Sequence, residues 1–332
     1  MPTREDGTTL AEHLTNHIPQ VLTNAAAKFV DSLKLSSVSE RVWRGRRMVV
    51  KRRNGYSERL AELANLYFHM SKIPIRFFSK VSDWKRWEVK CFKMLNGDRF
   101  RAFASGANAV CVDKLPGKSL WQHLHRGTLR PEMLEAAAHE FRRAHQLWSD
   151  EFRGPWSHGD AGMENVVLNE KTGRVRLIDF EIIHDKALPA ASRHADDLLV
   201  FILDIAAIAP TKKWLPLALK FLNAYGNLDV ISELENQLTL PSGMAWIWWG
   251  VRTSFANPAK VKQRLAKLRD LTAHLEYYRA FAAKRARKRR RASITCQRIS
   301  AGIPRPISRA RQTRDSARAP SPEMPSKLPT TR

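Results

Sequence analysis

The stretch SHGDAGMENVVLNEKTGRVRLIDFE, residues 157–181, places polar residues at spacings that predict a shared site. Asp160 lies five residues before Asn165, and Asp179 follows Asn165 by fourteen. Between Asn165 and Asp179, the run VVL, the turn KTGR and the run VRLI are typical of a β-hairpin. Because a hairpin returns the chain to its starting edge, we expect Asn165 and Asp179 to lie close together.

These residue types suit the transfer of a phosphoryl group between oxygens. That reaction needs a carboxylate to orient the acceptor hydroxyl, oxygen ligands for Mg²⁺ and a cation that binds the phosphates. Mg²⁺ favours oxygen and usually takes one or two ligands from the protein, so an Asn and an Asp suffice. Asp160, Asn165 and Asp179 form such a set. Lys51, at the end of the apolar run MVVK, can supply the cation.

The motifs HGDAGMEN and LIDFE resemble the kinase-like superfamily, specifically its branch of aminoglycoside, choline and lipopolysaccharide-core kinases. The resemblance implies that Asp160 is the catalytic base and that Asn165 and Asp179 bind Mg²⁺. It also implies ATP as the phosphoryl donor. The segment VDKLPGKSL resembles the hinge of that superfamily, where the backbone around Asp113 to Leu115 would meet the adenine.

The resemblance is weaker on the phosphate-binding side of the site. VVK ending at Lys51 resembles the strand with the phosphate-binding lysine, and Glu88 in WEVKCFKML is the candidate for its helix partner. Because the gap between these two residues is long, Glu58 and Glu62 remain alternative partners for Lys51.

No GxGxxG motif precedes Lys51, and SSVSERVWRG stands in its place. Ser36, Ser37 and Ser39 are candidates to contribute backbone amides over the phosphates there.

The resemblance covers roughly residues 36–210 and implies a bilobal kinase-like α+β fold. We expect a small antiparallel β-rich N-lobe over residues 36–115 and a larger helical C-lobe over residues 116–283. Residues 1–35 are then an N-terminal extension. Residues 284–332, rich in Arg, Ser and Pro, are predicted to be a disordered basic tail.

The length of the segment after Asp179 indicates which kinds of kinase the chain resembles. Asp196 follows Asp179 by seventeen residues, and no A-P-E motif lies between them, whereas a regulated protein kinase has a longer activation segment. The short connection resembles small-molecule and lipopolysaccharide kinases, and also the RIO-like atypical kinases. Either Asp196 or Asp197 would then brace the backbone of the catalytic loop.

The excess of basic over acidic residues favours an anionic acceptor. The chain has 57 Lys and Arg against 32 Asp and Glu, a net charge of +25. From Lys284 onward there are 15 basic and 2 acidic residues, which leaves +12 on residues 1–283. Electrostatic steering by this excess favours a lipopolysaccharide-core sugar or another hydroxyl-bearing glycan or small molecule. The tail, beginning KRARKRRR, suits contact with an anionic membrane surface or nucleic acid.

Composition favours a cytoplasmic protein, with a peripheral location at the inner membrane face as a further prediction. Three distant cysteines suggest neither a disulfide framework nor a zinc site. The N-terminus has no apolar core of a secretory signal. The longest apolar run, LLVFILDIAAIA, is too short to span a bilayer and contains Asp204, so we expect no transmembrane segment.

Three functional classes remain open at this stage. They are a small-molecule or glycan phosphotransferase, an atypical RIO-like serine/threonine protein kinase, and a pseudokinase binding module whose tail binds anionic lipid or nucleic acid. His158 is predicted to be structural, and Trp246, Trp248 and Trp249 are predicted to fill a core.

Overall fold

The computed structural model describes residues 35–253 and 256–273, all within one compact unit, Met1–Arg279. The predicted basic tail, and all but the last residue of the predicted N-terminal extension, lie outside the described residues. The lobe boundaries at residues 115 and 283 remain predictions.

The N-terminal part of the described chain alternates strands and helices around one sheet. The turn between its first two strands has Arg44 and Gly45 at positive φ, as type I′ hairpin turns require. In chain order the elements are β1 (Ser36–Trp43), β2 (Arg46–Arg53), α1 (Ser57–Met70), β3 (Ile75–Phe77), α2 (Val81–Asn96), β4 (Ala102–Ser105) and β5 (Ala109–Asp113). An antiparallel sheet forms in the order β1-β2-β5-β4.

Helix α2 packs against this sheet through a mainly apolar face that includes one acid. Trp84, Trp87, Cys91 and Leu95 are buried at helical spacing, so they face the same side. Glu88 is buried on this face as well. Lys51 is buried in β2, so the sheet and the helix bring two opposite charges into one interior.

The C-terminal part is mainly helical. In chain order its elements are β6 (Lys118–Ser119), α3 (Leu120–His125), α4 (Pro131–His145), β7 (Trp148–Ser149), β8 (Gly154–Pro155), β9 (Val166–Asn169), β10 (Arg174–Leu177), β11 (Ile182–His184), α5 (Ala190–Ile208), α6 (Trp214–Tyr225), α7 (Leu228–Gln237) and α8 (Ala245–Arg252). Residues 258–273 are also helical. The rings of Phe141, Phe201 and Phe221 meet in the core between α4, α5 and α6.

The predicted hairpin is present, and the strand that follows it joins the two parts. β9 and β10 pair antiparallel from Val166 opposite Leu177 to Asn169 opposite Arg174. Directly after it, β11 pairs antiparallel with β3 of the N-terminal part. The segment following Asp179 is therefore held by a second sheet instead of extending freely.

The predicted α+β class is confirmed, with an antiparallel four-stranded sheet in the N-terminal part and a mainly helical C-terminal part. Among the described residues, no helix is long and apolar enough to cross a membrane.

Gly117 is expected to tolerate no side chain, because β6 runs close to β9. A Cβ at Gly117 would lie 2.0 Å from the backbone oxygen of Leu168, and its φ is +126°. We expect Gly117→Ala to lower the free energy of unfolding by about 3 kcal/mol or more, measured by urea denaturation. Gly127→Ala is the matched control, because φ is +66° there and a Cβ meets nothing within 4 Å. It should lose about 1 kcal/mol, and equal losses would contradict the steric explanation.

Candidate functional site

The site is organised around the buried ammonium group of Lys51. Its Nζ lies 2.6 Å from Oε1 of Glu88 and 2.8 Å from Oδ1 of Asp179. The structure therefore places Glu88 against Lys51. The rival Glu58 instead accepts a hydrogen bond from the Val81 backbone, and Glu62 is exposed.

Lys51 and Asp179 stabilise each other's charged forms. Burial disfavours the ammonium form of Lys51, but Asp179 and Glu88 outweigh that effect and raise its pKa above its ordinary value. Burial likewise disfavours ionised Asp179, yet Lys51 lowers the pKa of that carboxyl. At neutral pH, Lys51 is charged and Asp179 is ionised.

The backbone around Asp179 is held in a special conformation. Asp179 has φ of +67°, in the left-handed region that non-glycine residues rarely adopt. The next amide, that of Phe180, donates to Oε2 of Glu88 at 2.9 Å. One carboxylate oxygen of Glu88 thus contacts Lys51, and the other binds the amide that follows Asp179. These contacts help to hold Asp179 in its left-handed conformation.

The catalytic-loop candidates are close in space as well as in sequence. Asn165 donates through Nδ2 to the backbone oxygen of Asp160 at 2.8 Å and to Oδ2 of Asp160 at 3.4 Å. The backbone oxygen of Asn165 accepts from the amide of Ile178 at 3.0 Å, one residue before Asp179. The structure therefore brings Asp160, Asn165 and Asp179 together, with Lys51 bonded to the last of them.

The surroundings of Asp160 raise the pKa of its carboxyl. Burial raises the pKa of Asp160 to about 6, with the Arg252 guanidinium opposing the rise and Asp179 adding to it. Arg252 comes from the end of α8 and donates through Nη2 to the backbone oxygen of Gly159 at 3.3 Å. No motif in the sequence marked Arg252, because only the fold places it beside Asp160.

Asp197 is the residue that braces the loop carrying Asp160. Its Oδ2 accepts from the amide of His158 at 2.8 Å, and its Oδ1 accepts from the amide of Gly159 at 2.8 Å. The neighbouring Asp196 instead forms two 3.0 Å contacts with Arg252. The two acids that the sequence left as alternatives thus have separate partners.

His158 is held inside the loop by its own hydrogen bonds. Its Nε2 donates to the backbone oxygen of Ile178 at 2.9 Å, and its Nδ1 accepts from the amide of Asp160 at 3.3 Å. Burial lowers the pKa of His158, so the ring stays neutral and keeps this donor–acceptor pattern. His158 joins the loop to the hairpin as a structural residue.

Asp113 and Leu115 lie where β5 leads into the C-terminal part. The Asp113 carboxylate is engaged by Arg46, at 2.9 Å, and by the amide of Arg101, at 2.9 Å. The amide of Asp113 donates to the backbone oxygen of Arg101. Within the described part of the chain, no acceptor is recorded for the amide of Leu115.

Glu181 is a site residue that the sequence reasoning missed, although it belongs to the quoted motif. Burial raises its pKa to about 7, and Asp179 adds to that rise while Lys51 opposes it. The side chain of Ser36 lies near Glu181 and lowers the pKa of its carboxyl. Of the three candidate serines, Ser36 therefore lies at the site, whereas Ser37 and Ser39 are exposed along β1.

Comparison with known proteins gives a distant likeness. No protein-family profile and no curated protein sequence matches the chain. Among solved structures, the chain is similar to an ethanolamine kinase of Plasmodium vivax, with 10% sequence identity and a TM-score of 0.37. The alignment covers 84% of this chain and 98% of that kinase.

The buried His194 should make the folding stability of the protein depend on pH. Burial lowers the pKa of His194 to about 3, whereas an unfolded histidine titrates near 6.5. Only the unfolded state then gains a proton as pH falls below about 6.5, so folding stability declines. We expect His194 to account for a loss of about 2 kcal/mol between pH 7 and pH 5.

The measurement is urea denaturation of wild type and His194→Gln at both pH values. The difference between the two proteins isolates His194 from the other titrating groups, and the variant should lack this part of the pH dependence. His125→Gln, at an exposed histidine, is the control and should follow wild type. An unchanged pH dependence in His194→Gln would show that His194 titrates equally in both states.

Proposed function

We propose that this protein is an ATP-dependent phosphotransferase that moves the γ-phosphoryl group to a hydroxyl of a small molecule or glycan. The observation that carries the proposal is the pair of contacts from Lys51, 2.6 Å to Glu88 and 2.8 Å to Asp179, next to Asp160 and Asn165. A cation, two oxygen ligands and a carboxylate are the parts that this reaction requires.

The donor set fits Mg²⁺. Asn165 uses its Nδ2 for Asp160, which leaves its Oδ1 as an oxygen ligand. The Asp179 side chain is 38% exposed, so its carboxylate is accessible to solvent. Mg²⁺ favours such oxygens and keeps most of its other positions for water and phosphate. When bound, it would supply positive charge to the nucleotide phosphates.

The remaining residues have roles that follow from their chemistry. Lys51 binds phosphate oxygens, and the amide of Leu115 is a donor for the adenine. Asp160 orients the acceptor hydroxyl and receives its proton as the new oxygen–phosphorus bond forms and the bond from the γ-phosphorus to ADP breaks. With a pKa of about 6, Asp160 is mostly ionised at neutral pH and can act as this base.

Two observations favour a small or glycan acceptor over a protein substrate. The segment after Asp179 is tied into β11, and His184 within it bonds to Asp196 at 3.1 Å and to Ser157 at 2.9 Å. A segment fixed in this way does not form the long open platform of a regulated protein kinase. The charge of +12 on residues 1–283 supports an anionic acceptor, such as a lipopolysaccharide-core sugar.

Substitutions at the two acids should separate chemistry from nucleotide binding. Asp160→Asn removes the base, so we expect loss of ATP-dependent labelling of an acceptor by at least about a hundredfold, with ATP·Mg²⁺ binding retained. Asp179→Ala removes a metal ligand, so ATP·Mg²⁺ should no longer raise its melting temperature. Labelling with γ-³²P-ATP against sugars, lipids and proteins, together with thermal shift, measures both effects.

Asp98→Asn, at an exposed acid remote in sequence from the motifs, is the control and should behave as wild type. Absence of any thermal shift in wild type would favour the pseudokinase. Labelling confined to proteins would favour the atypical protein kinase.

The pKa of Asp160 also predicts the pH dependence of transfer. The carboxylate is the active form, so the rate should fall about tenfold for each pH unit below about 6. Steady-state rates between pH 4.5 and pH 8 test this, with ATP·Mg²⁺ binding measured at each pH as the control. A rate that stays constant down to pH 4.5 would exclude Asp160 as the base.

A further inference from the structure

A cavity of about 370 Å³ lies between the connection from α2 to β4, the segment after β5 and the hairpin of β9 and β10. Its charged lining residues are Arg99, Arg174 and Arg176, and among the described residues no acid lines it. We call it the arginine cavity. The rest of its wall consists of apolar residues and two small polar ones: Phe100, Leu115, Pro116, Val167, Asn169 and Thr172.

The arginine cavity is separate from the proposed nucleotide phosphate site. In the sheet order β1-β2-β5-β4, β5 has β2, with Lys51, on one side and β4 on the other. Arg99 and Phe100 come just before β4, so they lie on the side of β5 away from Lys51. None of the residues proposed to bind phosphate or Mg²⁺, or to act as the base, lines the cavity. It meets the predicted adenine-binding segment only at Leu115.

The three guanidinium groups lie close enough together to repel one another. Burial lowers the pKa of Arg176, and the charges of Arg174 and Arg99 lower it further. Within residues 35–253 and 256–273, no ion pair is recorded for any of the three. An anion in the cavity would replace this repulsion with attraction.

Arg176 is held in the wall by two contacts. Its Nη1 donates to Oδ1 of Asn96 at 3.2 Å, and its guanidinium lies 4.8 Å from the ring centroid of Phe100. In the described part of the chain, no acceptor is recorded for its Nη2 or Nε. The planar group is therefore oriented before a ligand arrives, which lowers the entropy cost of binding.

The acids nearby do not neutralise the arginine cavity. Glu140 forms two contacts with Arg143, at 2.6 Å and 2.7 Å, in the wall of the adjoining cavity. Glu170 pairs with Lys118 at 3.5 Å, and Asp98 is exposed to solvent. None of these three acids lines the arginine cavity. Its lining therefore offers a ligand positive charge alone.

This lining selects phosphate groups on a compact carbon skeleton. Guanidinium groups bind phosphate oxygens through paired, charge-assisted hydrogen bonds. One phosphate ester carries a charge of about −2 at most, so two or more phosphates are needed to balance three arginines. Phe100 and Pro116 give the skeleton an apolar wall, and the amide of the Asn169 side chain can donate to a hydroxyl.

We propose that the arginine cavity binds a compact polyol with two or more phosphate groups, as a ligand distinct from both the nucleotide and the acceptor. Its phosphates lie against Arg99, Arg174 and Arg176, and its carbon skeleton lies against Phe100 and Pro116. Because the cavity is formed by the segment after β5 and by the hairpin, the ligand bridges these two elements.

Calorimetric titration of the full chain, without nucleotide or Mg²⁺ and at physiological ionic strength, tests the inference. The probe is fructose bisphosphate with a phosphate on each terminal carbon. Fructose monophosphate and fructose are the matched ligands that lack one and both phosphates. Because each added phosphate gains charge-assisted hydrogen bonds, we expect the bisphosphate to bind at least about tenfold more tightly than the monophosphate. Fructose should show no measurable binding.

Two double variants locate the binding. Arg99→Gln combined with Arg174→Gln should weaken bisphosphate binding by about tenfold or more, and both side chains are exposed, so the fold should be retained. Arg59→Gln combined with Arg269→Gln is the control, because it removes the same charge from exposed positions outside the cavity. This control should bind within about twofold of wild type.

Three outcomes would overturn the inference. Equal affinity for bisphosphate and monophosphate would show that the cavity does not take two phosphates. Binding unchanged in the Arg99 and Arg174 double variant would place the probe elsewhere, as at the proposed nucleotide site. Equal losses in the two double variants would assign the binding to general attraction by a basic chain. Failure of the proposed function is separate, since it appears as absence of a thermal shift with ATP·Mg²⁺ whether or not the bisphosphate binds.

Discussion

The buried ammonium group of Lys51 is the interaction on which the rest of the site depends. A charge in a protein interior is tolerated only when opposite charges and hydrogen bonds compensate for its lost hydration. Here the compensating acids come from two other elements, Glu88 from α2 and Asp179 from the segment after β10. Sheet, helix and hairpin must therefore meet at one point.

Helix α5 positions the groups around Asp160. Its consecutive acids, Asp196 and Asp197, point to different partners because neighbouring residues on an α-helix are rotated by about 100°. Asp197 holds the loop amides of His158 and Gly159, whereas Asp196 holds Arg252 of α8. One buried helix thus positions both the loop that carries Asp160 and the guanidinium of Arg252.

Much of the site was predictable because its residues lie in one short stretch. The five-residue spacing of Asp160 and Asn165 and the hairpin before Asp179 are local features, and local hydrogen bonds reproduce them in the structure. The pairing of Lys51 with Glu88, and not with Glu58 or Glu62, was harder to predict. It depends on how α2 packs against the sheet, which the periodicity of α2 suggests but does not establish.

Turn residues and alternating apolar residues act over a few neighbouring positions, so the α+β class, the loop motif and the hairpin were predictable from the sequence. Tertiary packing is responsible for three other features: Lys51 pairs with Glu88, Asp197 braces the loop, and Arg252 lies beside Asp160. Arg252 is 92 residues from Asp160 along the chain, and its guanidinium reaches Gly159 only because α8 packs near α5. Contacts of this kind follow from the packing of a shared core, which no local spacing in the sequence records.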